Sequence, residues 1–180
     1  FLIYTRAEDV LPQKDHWNLV NALHLLTESG QEFACVLIGT GVDEDNQGLK
    51  ALLAQHGLQD RVKLLGRRSD IPKVMSALDL HVLSSAFGEA FPNVVAESMA
   101  CGTPSVATDV GDAALIVDGT GWIVPPSESR ALFYAITQGI SEMKMPDVWL
   151  DRKSACRAHV VEHFSIEKMV SSFNVAWQEA

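Results

Sequence analysis

The strongest constraint on this 180-residue chain is a repeated pattern: a short uninterrupted apolar run, a turn-rich loop, then an amphipathic stretch. The apolar runs are Phe1–Thr5, Phe33–Ile38, Val62–Leu65, Leu80–Ser84 and Ser105–Ala107, with a sixth at Gly121–Val124 before Pro125-Pro126 breaks the chain. Runs that are apolar throughout, without alternation, suit parallel strands covered on both faces. Between them, His16–Ser29 carries Leu19, Ala22, Leu23 and Leu26 on one helical stripe, and Gln47–Gln55, Ile71–Ala77 and Asn93–Ala100 are further helices. The tail is expected to be helical over Arg130–Ser141, Arg152–His163 and Ile166–Gln178. Strand–helix units in series predict one Rossmann-like, doubly wound α/β domain with a parallel sheet.

In such a fold, ligands bind outside the carboxyl ends of the strands. The loops to search are therefore Arg6–Asp15, Gly39–Asn46, Gly66–Asp70, Ser85–Pro92 and Thr108–Asp112. The chain is acidic, with a formal net charge of −9, which argues against nucleic acid or an anionic membrane as its main partner. It carries no apolar run near the length of a membrane span and no signal-like leader, so a cytoplasmic setting is expected. Its start lacks a Met and falls directly on a strand run, as expected of a segment cut from a longer chain. Cys35, Cys101 and Cys156 form no CxxC pair and are expected to pack as small apolar residues.

The segment Ser84–Pro104 leaves a strand, crosses a loop and enters a helix. Pro92 suits a first helical turn, where its missing N–H is no loss. The N–H groups of Asn93, Val94 and Val95 would then face outward and, with the helix dipole, favour an anion. Glu97 follows one turn later among Val94, Val95, Ala96 and Met99, an acid in an apolar stretch that ligand hydroxyls could satisfy. Glu89 lies in the loop above the helix start. Two accounts fit these residues: both acids accept from sugar hydroxyls, or Glu97 pairs with a nearby base and Glu89 is a solvated loop acid.

Three other patterns compete. Ile38-Gly39-Thr40-Gly41 begins like a dinucleotide fingerprint, but Glu44 stands where the third glycine belongs and would oppose a pyrophosphate. A plain turn is the better account, which sets an NAD-binding domain aside. His159-Val160-Val161-Glu162-His163 matches a zinc-peptidase pattern, yet little chain remains after it to complete a metal site. His16 could touch a phosphate or simply begin a helix.

Glu89-Ala90-Phe91-Pro92-Asn93-Val94-Val95-Ala96-Glu97-Ser98-Met99-Ala100-Cys101-Gly102-Thr103-Pro104, an E-x7-E pattern followed by Val106–Gly111, resembles the signature of glycosyltransferase family 4, the retaining group 1 enzymes of the GT-B fold. Pro12–His16, Ile38–Gly41, Val62–Arg67, Ala77–Leu80 and Asp118–Pro126 follow in the family's order. The resemblance implies that residues 1–180 form a single nucleotide-sugar-binding domain, the C-terminal half of a two-domain enzyme. That enzyme would move a sugar from UDP-sugar or GDP-sugar to an acceptor hydroxyl, with retention and without a bound metal or other cofactor. Lys14 and Glu89 would be catalytic. Glu97 would accept from the ribose, Glu89 from the sugar, and backbone N–H groups near Phe91, Pro92, Asn93 and Val94 would hold sugar and phosphate oxygens. Lys14 and Arg6 would neutralise the diphosphate, and Gly66-Arg67 would line the base. Arg6 stands further ahead of Lys14 than the family pattern has it. By analogy the acceptor would be a carbohydrate or lipid-linked molecule of polysaccharide biosynthesis, bound by a missing N-terminal domain, and the full-length protein could sit at a membrane surface. A nucleotide-binding module without transfer activity is the alternative.

Overall fold

The computed structural model describes residues 2–6 and 12–178, with side chains from residue 13 onward. Six parallel strands form one sheet: β1 (Leu2–Arg6), β2 (Ala34–Ile38), β3 (Val62–Leu64), β4 (Leu80–Leu83), β5 (Ser105–Thr108) and β6 (Trp122–Val124). Their order is β3-β2-β1-β4-β5-β6. The order reverses between β1 and β4, where a doubly wound sheet opens a crevice at its carboxyl edge.

The helices α1 (His16–Glu28), α2 (Gln47–Gln55) and α6 (Ser129–Met143) share one buried cluster with one face of the sheet. The other face is covered by α3 (Ile71–Ser76), α4 (Asn93–Ala100), α5 (Ala113–Val117) and α7 (Pro146–Phe164). β2 shows the reason for its continuous apolar run: Cys35 and Leu37 enter the first cluster, Val36 and Ile38 the second. Alternate side chains point to opposite faces, and both faces are covered. α8 (Ile166–Gln178) buries no residue.

The strands fall within a residue of their predicted bounds. Two helical features differ from expectation. α5 is a helix that the sequence pattern does not mark, because five residues are too few for a period to emerge. α7 begins at Pro146 rather than Arg152, because Pro146 takes the first helical position with Asp147 beside it in the first turn. Cys35 and Cys156 are buried, and burial pushes their thiols up to about 12 and about 11. Among the described residues no helix is long and apolar enough to cross a membrane.

Candidate functional site

The crevice between β1 and β4 is spanned by side chains from the two loops that leave those strands. After β1, a single 3-10 turn (Pro12–Lys14) leads to Asp15, whose carboxylate accepts the Asn18 N–H and caps α1. Lys14 extends from that turn, and its Nζ donates to Glu89 Oε1 at 2.7 Å. The pair is mostly sheltered, with side-chain exposures of 19% and 13%. One backbone and one side-chain hydrogen bond hold the loops together: Ala86 N–H donates to the Gln13 carbonyl at 2.7 Å, and Gln13 Nε2 donates to the Gly88 carbonyl at 3.0 Å. Gly88 has φ +77°, a left-handed conformation that favours glycine, and a Cβ there would lie 2.9 Å from the movable Gln13 Nε2.

The far wall of the β4 loop is set by Gly111. Its φ is +55°, and a Cβ would fall 2.2 Å from the Ala90 carbonyl oxygen and 2.4 Å from that of Glu89. The next residue, Asp112, donates its N–H to the Ala90 carbonyl at 2.8 Å. Residues after β5 thus brace the segment carrying Glu89.

A second part of the site is a cleft of about 750 Å³ lined by Ile38, Gly39, Thr40, Arg67, Arg68 and Glu97, among others. Arg68 is committed to Asp70 through two hydrogen bonds of 2.8 and 2.7 Å. Arg67 is exposed and makes no hydrogen bond or ion pair among the described residues. The cleft is thus bordered by a cation, Arg67, and a carboxylate, Glu97, whose side chains bond no other described residue, near strand ends that can also offer backbone groups.

Several expected placements change. Glu97 is exposed to the cleft, not buried, because its position on α4 faces away from the Val94–Val95–Ser98–Met99 side that packs inward. It needs no ligand to offset desolvation. Pro92 is the N-cap of α4 rather than a residue of its first turn, and its carbonyl accepts the Val95 N–H at 2.9 Å. That leaves the Asn93 and Val94 N–H groups without a carbonyl among the described residues. Phe91 is partly buried, 5.5 Å from the Phe164 ring, and Pro92 and Val94 are buried, so these side chains serve packing and leave the backbone to face a ligand.

The backbone of Gly66 is internally engaged: its N–H donates to Val42 at 2.7 Å and its carbonyl accepts from Gly39 at 3.1 Å. Gly39 and Thr40, read from sequence as an ordinary turn, prove to be walls of the cleft. The side chain of Arg6 lies outside what the structure describes. His16 is buried at the start of α1, and burial, the largest cause, lowers its pKa. His159 and His163 stack with their centroids 4.7 Å apart, and His159 Nδ1 lies 3.9 Å from Asp118. Among the described residues no three His, Cys, Asp or Glu side chains gather as a metal site.

The roles of Gln13, Ser85 and Gly111 were not foreseen. Gly111 closes the quoted motif, and a glycine three residues past the end of a strand was the available signal for a close backbone approach. Gln13 acts through Ala86 and Gly88, far along the chain, and Ser85 meets Glu89 four residues on because the loop folds back, a turn that no local pattern marks.

The family profile described as "Glycosyl transferases group 1" matches residues 2–142. The N-acetyl-alpha-D-glucosaminyl L-malate synthase of Bacillus anthracis is 26% identical over 162 residues, covering 89% of this chain and 38% of that protein. A glycosyltransferase structure from Rickettsia africae superposes with a TM-score of 0.88 at 26% identity, covering 99% of this chain and 47% of its own. HepE of Anabaena, crystallised in complex with UDP, superposes with a TM-score of 0.85 at 26% identity, covering 100% and 49%. The chain spans about half the length of these proteins or less. The likeness bears out the parallel α/β architecture of GT-B type.

Proposed function

The chain belongs to the group 1 glycosyl transferases, and from that premise we propose that residues 1–180 are the donor-binding half of a retaining, two-domain family 4 enzyme. The observation that carries this reading is the arrangement at the strand-order reversal. Lys14 and Glu89 meet there, and Glu97 and Arg67 share the neighbouring cleft. The UDP held by the Anabaena relative supports a nucleoside diphosphate as the ligand class.

In this reading the ribose hydroxyls donate to Glu97, whose free carboxylate lines the cleft. The base lies against Gly39, Thr40 and the Gly66-Arg67 turn. The diphosphate sits by Lys14 and the Asn93 and Val94 N–H groups, which together supply positive potential where charge develops as the donor bond breaks. Arg6 would add a second cation. Glu89 accepts from a hydroxyl of the transferred sugar. The bond between the anomeric carbon and the phosphate oxygen breaks, and the acceptor oxygen bonds to that carbon on the same face. The acceptor's proton passes to the departing diphosphate oxygen.

The acceptor, a carbohydrate or lipid-linked molecule, would be held by a second, N-terminal half. α8 supports that division. Ile166, Met169, Val170, Phe173 and Trp177 recur at helical spacing, all are exposed, and Trp177 is 82% exposed. Such a stripe requires a covering surface. Thermal denaturation with UDP, GDP, UDP-glucose, GDP-mannose and NAD tests the proposal. A nucleoside diphosphate or its sugar should raise Tm in proportion to RT ln(1 + [L]/Kd). A rise with NAD alone would sink it.

A further inference from the structure

Two hydroxyls at the end of β4 tie the site together. Ser84 Oγ donates to the Lys14 carbonyl at 2.8 Å, and Ser85 Oγ donates to Glu89 Oε1 at 2.7 Å. Both serines are buried, at 2% and 1% exposure. Ser85 is itself anchored, because Thr108 Oγ1 donates to its carbonyl at 2.7 Å and so links it to the end of β5. Lys14 Nζ reaches the same Glu89 oxygen that Ser85 does. Among the described residues, Glu89 Oε2 accepts nothing.

This division of labour within one carboxylate has a physical basis. The terminal torsion of a glutamate is broad and nearly two-fold, so a carboxylate left to itself can exchange its oxygens. A lysine ammonium is close to a point charge and sets little direction. A buried hydroxyl whose backbone is pinned does set direction. The two donors load Oε1 and leave the lone pairs of Oε2 open, since an ionised carboxylate has about four acceptor positions.

We infer that Ser85 is a positioning residue for Glu89, fixing Oε1 beside Lys14 so that Oε2 remains the acceptor for a hydroxyl of the sugar on a nucleoside-diphosphate sugar. The inference rests on the donor-binding reading above. It also means that Lys14 need not abandon Glu89 when donor binds. Lys14 keeps two further N–H groups for phosphate oxygens, and Glu89 accepts the sugar on its other side. Loss of the Ser85 hydroxyl should therefore leave the nucleotide's own affinity nearly intact and remove the increment contributed by the sugar.

The test compares wild type, Ser85→Ala and Ser85→Thr in calorimetric titrations with UDP and UDP-glucose, and with GDP and GDP-mannose. In parallel, competitive acylation of lysines without ligand is read by mass spectrometry. Ser85→Ala is expected to bind the nucleotide within about two-fold of wild type while the extra affinity from the sugar falls about ten-fold, the loss of one hydrogen bond to a charged group. Ser85→Thr keeps the hydroxyl and is expected to restore that increment. Lys14 should acylate several-fold faster in Ser85→Ala, with exposed Lys144 unchanged. Equal weakening of nucleotide and nucleotide-sugar would mean a structural role only and overturn the inference. If wild type binds none of the four ligands, or gains nothing from either sugar, the donor-binding reading fails on its own terms. The acylation result then decides: an unchanged Lys14 rate in Ser85→Ala overturns the positioning role.

Discussion

Lys14 and Glu89 lie 75 residues apart in sequence, yet Lys14 Nζ donates to Glu89 Oε1 at 2.7 Å across the point where the strand order reverses. The residues proposed to meet the diphosphate and the sugar are thus bonded to each other. Substituting them should produce unlike effects. Lys14→Met is expected to weaken UDP or GDP by roughly 10- to 150-fold, the cost of a lost charge-assisted contact. Glu89→Gln removes the competing carboxylate from Lys14 and should leave the bare nucleotide bound as tightly as in wild type or more so, while reducing the gain from an attached sugar. Calorimetry with each nucleotide and its sugar conjugate checks both. Parallel losses in the two variants would show that the pair acts only as scaffold.

Glu97 is exposed at the cleft wall, so its substitution should be felt by ligand and hardly by the fold. Glu97→Ala is expected to lose about 10- to 150-fold in nucleotide affinity, while Tm without ligand stays within a few degrees of wild type. Unchanged nucleotide affinity in a folded variant would displace the ribose from this residue.

Gly111→Ala should act through the backbone. The added Cβ would lie within 2.4 Å of two carbonyl oxygens of the Glu89 segment, at a φ of +55° that disfavours alanine. A destabilisation of about 1–3 kcal/mol is expected in urea denaturation, with weaker nucleotide-sugar binding as the braced segment moves. A stability equal to wild type would show that the β5 loop yields without cost.

His81 gives the fold a sensitivity to acid. It is wholly buried in β4 with Nδ1 3.0 Å from Ser105 Oγ, and burial lowers its pKa to about 3. The unfolded chain returns the ring to water, where it takes a proton near pH 6.5. Stability is therefore full above pH 6.5. Below that, the unfolded state binds a proton the folded state refuses. His81 should cost about 1.4 kcal/mol per pH unit as pH falls from 6.5 toward 3. His16, lowered by burial as well, adds in the same direction. Urea denaturation between pH 7.5 and 4 should show a shallower acid decline for His81→Leu than for wild type. Identical slopes would contradict the assignment.

The sequence by itself determined the elements and the order in which they come. A continuous apolar run, a helical stripe and a glycine after a strand are local facts. Their bounds are legible because hydrophobic periodicity is a property of neighbouring residues. It also pointed to the E-x7-E segment, since one helix start and the loop before it are contiguous. α5 escaped because a five-residue helix is too short to show a period. Only the tertiary structure decided which strands adjoin, and so that the turn after β1 meets the loop after β4. It also decided that Glu97 looks into a cleft rather than a core, that Gly39 and Thr40 are walls, and that Ser85 and Gly111 hold Glu89 in place. Most of these relationships rest on contacts between distant residues; Ser85 and Glu89 are only four apart, but the loop that carries them is held by Gln13, Thr108 and Gly111. Burial and hydrogen bonding depend on what the folded chain brings alongside, and the local pattern does not record it.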